Sequence, residues 1–94
     1  MSLYVIRRPE AWATAEELGI AVGRSARVGD EEMSRDIRWI RSYVVRENDG
    51  SLGTFCVFDA TSAAKIREHA TRADLPASEI YEVVDTVQVR PDPQ

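Results

Sequence analysis

The sequence predicts an α+β domain of β-α-β-β-α-β order. Two capped, amphipathic segments read as helices, and four β-rich runs surround them. An Asn48-Asp49-Gly50 turn folds the middle two runs into a hairpin. A chain of 94 residues holds one domain, so residues 1–94 are read as a single unit.

Leu3 to Arg8 opens on Leu3, Tyr4, Val5 and Ile6 and is the first strand. Pro9, which has no N–H for a sheet ladder, ends it. Thr14-Ala15-Glu16-Glu17 is a capping box. The Thr14 hydroxyl accepts from the Glu17 N–H, and the Glu17 carboxylate reaches back to the Thr14 N–H. Leu18, Ala21, Val22 and Ala26 recur at helical spacing, so a helix is expected from about Ala15 to Val28, with Gly29 as its C-cap. Asp30 to Arg35 is a polar connector, Ile37 to Arg46 the second strand and Leu52 to Asp59 the third. Thr61 or Ser62 caps a second helix with the apolar stripe Ala63, Ile66, Ala70 and Ala73; Pro76 lies past its end. Ile80 to Val89 is the fourth strand, before Pro91 and Pro93, and the last few residues are expected to be loose.

That order is the split-βαβ, ferredoxin-like signature: a four-stranded antiparallel sheet with both helices on one face. Phe55, Val57, Tyr81, Val83 and Val87 make the opposite face apolar, and such a face usually meets a partner. Two of these sheets packed together form a dimeric α/β barrel, so a homodimer is expected. Pairing also helps a small domain, which alone buries only about 60–70 % of its unfolded surface.

Apolar residues make up 44 % of the chain and charged residues 30 %, which excludes disorder. The net charge of −4 offers no basic surplus for phosphate backbones. Arg7-Arg8 and Arg35, Arg38, Arg41 form basic clusters without a nucleic-acid motif, so no nucleic-acid partner is expected. No apolar run nears the roughly 18 residues that span a bilayer, and Met1-Ser2-Leu3-Tyr4 has no signal-peptide pattern. Cys56, the lone cysteine, excludes an internal disulfide and a multi-cysteine zinc cluster and suits a reducing compartment. The protein is therefore expected in the cytoplasm without a membrane partner. Dinucleotide-binding, Walker A, zincin and nucleophile-elbow motifs are absent.

The stretches Trp39-Ile40-Arg41-Ser42-Tyr43, Cys56-Val57-Phe58-Asp59-Ala60, His69-Ala70, Leu75-Pro76-Ala77 and Glu79-Ile80-Tyr81-Glu82-Val83 resemble a family of small bacterial domains of largely unassigned function. That family includes an actinobacterial nickel-binding protein with a ferredoxin-like, dimeric barrel fold. The likeness runs from Leu3 to Val89 and is best over Ile66 to Val83. It implies the same scaffold and brings in a divalent metal such as nickel as a candidate cofactor. The nickel-binding relative is histidine-rich, with a histidine pair in its first strand. The corresponding place here reads Arg7-Arg8, and only His69 matches a histidine, so the resemblance does not carry the nickel site with it.

His69, the sole histidine, falls on or beside the apolar stripe of the second helix. It is a candidate general base or metal ligand, with Cys56 or Glu68 as co-ligands. The plainer alternative is a core-edge histidine bonded to a backbone carbonyl. Cys56, mid-strand among apolar neighbours, is a ligand contact or simply a small packed hydrophobe. Trp39, Arg41 and Tyr43 alternate, so period two puts them on one face with Ser42 pointing the other way. Two aromatics around a guanidinium would suit an anionic or planar ligand; the alternative is an aromatic core with a snorkelling arginine. Glu79, Glu82 and Asp85 are expected to be solvated or paired with arginines. The leading functional expectation is a small-ligand-binding protein whose cavity is lined by Trp39, Arg41, Tyr43, Cys56 and His69. The alternative is a cofactor-independent oxygenase, isomerase or dehydratase-like enzyme. There His69 is the catalytic base, and Arg41 or Tyr43 stabilises the developing anion.

Overall fold

Alternation along β1 (Ser2–Trp12) and β3 (Leu52–Ala60) gives the sheet two unlike faces. Tyr4, Ile6 and Arg8 are buried on one side, opposite Phe58, Cys56 and Thr54. The intervening Val5 and Arg7 stand on the other side with Val57 and Phe55. The computed structural model describes residues 1–77 and 79–93. It adds α1 (Ala15–Arg27), a π-helical turn (Val28–Glu32), β2 (Ile37–Arg46), α2 (Ala63–Ala73) and β4 (Glu79–Glu82). The four strands pair antiparallel in the order β2-β3-β1-β4, the ferredoxin-like arrangement. Tyr4, Ile6, Val28, Ile37, Phe58 and Ile66 form the centre of the core between the sheet and the helical layer.

The helix starts follow the sequence closely. Thr14 Oγ1 accepts from the Glu17 N–H at 3.2 Å, and Ser62 Oγ accepts from the Lys65 N–H at 3.2 Å. Glu17 reaches back one residue further than a capping box requires, to the Ala13 N–H at 2.9 Å. Helix α2 ends on Asp74 in the left-handed region, and the Arg24 guanidinium donates to the Ala73 and Asp74 carbonyls. That contact ties the two helices together where α2 leaves its carbonyls unpaired.

Four features differ from expectation, each for a physical reason. β1 does not stop at Pro9. It continues to Trp12 through an irregularity where Glu10 takes φ +52° and the register shifts. A bulge leaves a ladder position unpaired, which is where proline is tolerated. Gly29 is not a C-cap: the chain runs on as the π turn, and Val28, Gly29 and Met33 are all buried. β4 ends at Glu82, because Tyr4 pairs with Glu82, the Val83 N–H takes the Leu3 carbonyl, and β1 has almost no residues left to offer. Beyond it, residues 83–93 form no regular element. The tail is nevertheless anchored, since the Tyr43 hydroxyl donates to Asp92 Oδ2 at 2.6 Å. Gln94 lies outside the described residues.

The fourth difference lies inside β2 and decides the site. Trp39 pairs with Phe58, but the next registered pair is Arg41 with Val57, so Ile40 is an extra residue on β2. A bulge reverses the face of everything after it relative to strict alternation.

Candidate functional site

The bulge at Ile40 overturns the expectation that Trp39, Arg41 and Tyr43 share a face. Trp39 lies on the helix-facing side, stacked on Phe58 with ring centroids 5.9 Å apart and planes 2° from parallel. Ser42 joins it there, opposite Cys56, and its Oγ accepts from Trp39 Nε1 at 2.8 Å. Arg41 and Tyr43 go to the other face, opposite Val57 and Phe55. Arg41 Nη1 is 3.6 Å from Asp92 there, and hydrogen bonding to the same carboxylate pushes the Tyr43 phenol above its ordinary pKa. The sheet therefore separates Arg41 and Tyr43 from His69 and Cys56.

On the helix side a cleft opens between α1 and the sheet. Trp12, Leu18, Val22 and Leu75 are among its apolar walls, and Arg8, Ser42, Thr54 and Cys56 line it from the strands. Its volume is about 30 Å³, room for about two water-sized groups. The strands place these polar residues as one patch: Arg8 faces Thr54 across β1 and β3, and Cys56 faces Ser42 across β3 and β2.

Arg8 is the unusual member, with 2 % of its surface exposed. Its Nε donates to the Pro76 carbonyl at 2.7 Å and its Nη1 to Cys56 Sγ at 3.1 Å, while Nη2 is buried without a partner among the described residues. Among the described residues no carboxylate pairs with it. Desolvation pulls its pKa below the ordinary guanidinium value, opposed by the neighbouring Cys56. Cys56 in turn donates from Sγ to Thr54 Oγ1 at 3.3 Å.

His69 lies behind this patch. It is 1 % exposed, and its ring is tilted against Phe58 at 5.3 Å. Its Nε2 is 3.1 Å from the Ser25 carbonyl. A carbonyl only accepts, so the proton sits on Nε2. Nδ1 is then buried without a partner among the described residues. Burial lowers the imidazole pKa, the Ser25 hydrogen bond opposes that, and nearby Arg8 adds to it. The plainer sequence alternative, a histidine bonded to a backbone carbonyl, is the arrangement seen.

Of the five residues expected to line one cavity, Trp39 and Cys56 line this cleft, and Arg41, Tyr43 and His69 do not. The cleft adds Arg8, Ser42, Thr54 and Trp12, which sequence reasoning missed as site residues. Arg8 left one signal: in Tyr4-x-Ile6-x-Arg8 the cation occupies the next position of an inward-facing alternation. Among the described residues no three His, Cys, Asp or Glu side chains are grouped to hold a metal ion. Glu68 is engaged with Lys65 and Arg72, and Cys56 lies under the Arg8 cation, so the donors do not converge on His69. The donors among the described residues do not fit a nickel ion.

The fold and cleft define a small ferredoxin-like α+β domain with an apolar-walled cleft between its first helix and its sheet. The chain belongs to the SCO4226-like family: the model described as "Nickel responsive protein SCO4226-like" matches residues 4–83. Among solved structures it is similar to SCO4226 from Streptomyces coelicolor A3(2), seen by crystallography. The two share 20 % identity at a TM-score of 0.71, over 92 % of this chain and 100 % of that one, a likeness of fold. No curated protein matches the chain. No helix among the described residues is long and apolar enough to cross a membrane.

Proposed function

We propose that this protein binds a small organic ligand in the cleft between α1 and the sheet. The observation that carries this reading is an apolar-walled cleft lined by the buried Arg8, one of whose N–H groups has no partner among the described residues. An unpaired buried donor is costly, and proteins retain such groups mainly where a ligand or ordered water completes them. Trp12 and Trp39 line the cleft and make it visible by fluorescence. Small-molecule binding should change tryptophan emission, and Ala21→Leu, which fills the cleft from α1, should abolish that change with the fold intact. Binding unaffected by Ala21→Leu would place the ligand elsewhere.

The family name speaks of a nickel-responsive relative, which makes nickel the competing ligand for this chain. The scattered donors argue against it. Calorimetry with nickel should give no stoichiometric heat, whereas a 1:1 signal lost in His69→Ala would restore the metal. The enzyme alternative loses its proposed anion stabilisers, because Arg41 and Tyr43 stand across the sheet from His69.

The working unit in this proposal is a homodimer. Tyr43, Phe55 and Tyr81 are exposed on the sheet face away from the helices, and a second copy covering them would form the α/β barrel. The cytoplasm is its proposed compartment, in keeping with a single free thiol.

A further inference from the structure

The sheet face away from the helices carries one more piece of the chain. β4 and β2 are the two edge strands, on opposite sides of the sheet. The tail leaves β4 after Glu82, and its Asp92 meets the Tyr43 and Arg41 side chains of β2. Those two side chains stand on the open face, opposite Phe55 and Val57. Residues 83–92 therefore lead from one edge of the sheet to the other, and they end on the side where the second copy is proposed to pack.

The tail is held there loosely. Val83 donates its N–H to Leu3, but among the described residues 84–93 none makes a backbone–backbone hydrogen bond. Asp92 makes the hydrogen bond and the ion pair that join these residues to the sheet. Val84, Val87 and Val89 are largely exposed, so they do not pack on it. Thr86 to Arg90, with Arg41 and Tyr43, bound a space of about 270 Å³. The Arg41 and Asp92 side chains are each more than half exposed. Exposed pairs of this kind shift an equilibrium by less than about fivefold.

A second sheet cannot pack over the tail as it lies. Packed sheets sit about 10 Å apart, and the inward side chains of both fill that gap. A further backbone segment does not fit between them. We propose that residues 83–92 are a displaceable strap, which competes with a second copy of the chain for the open face and opens at the Asp92 clasp when the copies pair. This inference rests on the homodimer proposed above and supplies its control.

Sedimentation velocity over a concentration series tests it on the full chain. Each dimer opens two clasps, so Asp92→Ala should tighten the dimer by up to about 25-fold, the product of two such factors. Asp85→Ala takes the same charge from the same tail without touching the clasp, since among the described residues Asp85 bonds only the Thr86 N–H. It should leave the dimer constant unchanged. The converse variant shuts the clasp: Arg41→Cys with Asp92→Cys, bridged within one chain by a short bismaleimide while Cys56 stays buried. The bridged protein should be a monomer at concentrations where the same protein, unbridged, is a dimer. A bridged protein that dimerises as well as the unbridged one would overturn the strap and leave the homodimer standing. Equal tightening by Asp92→Ala and Asp85→Ala would do the same, by assigning the effect to net charge. Bridges that join two copies would overturn displacement in favour of exchanged tails. Wild type, Asp92→Ala and the unbridged variant all monomeric at every concentration would overturn the homodimer reading and the strap with it.

Discussion

Arg8 is held inside the protein by two hydrogen bonds, to a carbonyl and a sulfur, with no carboxylate beside it among the described residues. Buried ionic groups replaced by apolar side chains of similar shape are often neutral or stabilising in their effect. Urea unfolding of the ligand-free protein should therefore show Arg8→Met unchanged or more stable, by up to about 2 kcal/mol. Arg8→Ala, which empties the space, should cost about 2–4 kcal/mol. His69 sets a second residue-level expectation. Its pKa is lowered on folding, so below the ordinary value near 6.5 the unfolded chain takes up a proton that the native chain resists. Stability contributed by neutral His69 is complete above that value and is lost as pH falls from about 6.5 toward the lower folded pKa. The melting temperature should drop over that window, and His69→Gln should flatten the drop. An unchanged slope in His69→Gln would assign the pH effect to other groups.

At the scale of elements, β1 and β3 approach closely where Arg7, Glu47 and Gly53 meet. Arg7 Nη2 is 2.8 Å from Glu47 Oε2, and a Cβ at Gly53 would collide with that carboxylate and crowd the Arg8 carbonyl. Gly53→Ala should destabilise by about 1–3 kcal/mol in urea unfolding, the cost of overpacking. Thr14→Ala removes the α1 cap and should cost about 1 kcal/mol in the same measurement. These elements also show what the sequence could reveal. Helix caps are local chemistry, so Thr14 and Ser62 were readable from their own neighbours. The hairpin was readable because Gly50, at φ +87°, fills a position that disfavours other residues. The Ile40 bulge was not, since β-branched Ile40 fits a regular strand as well as a bulged one. Strict alternation therefore placed Trp39 with Arg41 and Tyr43 and moved Ser42 to the wrong face. β4 was overextended because its valines favour strand, whereas its length depends on where β1 begins, far away in the chain.

At the scale of the whole molecule, the two faces of the sheet have different assignments. The helix-facing side holds the cleft, and the other side is proposed to meet a second copy. That surface is mixed: Arg7 lies 4.6 Å over the Phe55 ring, and Arg41 and Tyr43 hold the tail through Asp92. Sedimentation velocity should give a dimer that Phe55→Glu together with Tyr81→Glu converts to folded monomer. A wild-type monomer at micromolar concentration would remove the barrel from the account. Ligand binding in the cleft should survive the loss of pairing, because neither substituted residue lines it.

The central claim, a ligand site in the cleft on the helix side of the sheet, is tested most directly by amide and side-chain NMR during titration with a panel of small organic ligands. The Arg8 Nε–H and the Trp12 and Trp39 indole N–H signals should shift together and saturate, with backbone changes at Thr54 and Ser42. Shifts confined to Arg41, Tyr43 and the tail near Asp92, with the Arg8 signal unmoved, would contradict the account.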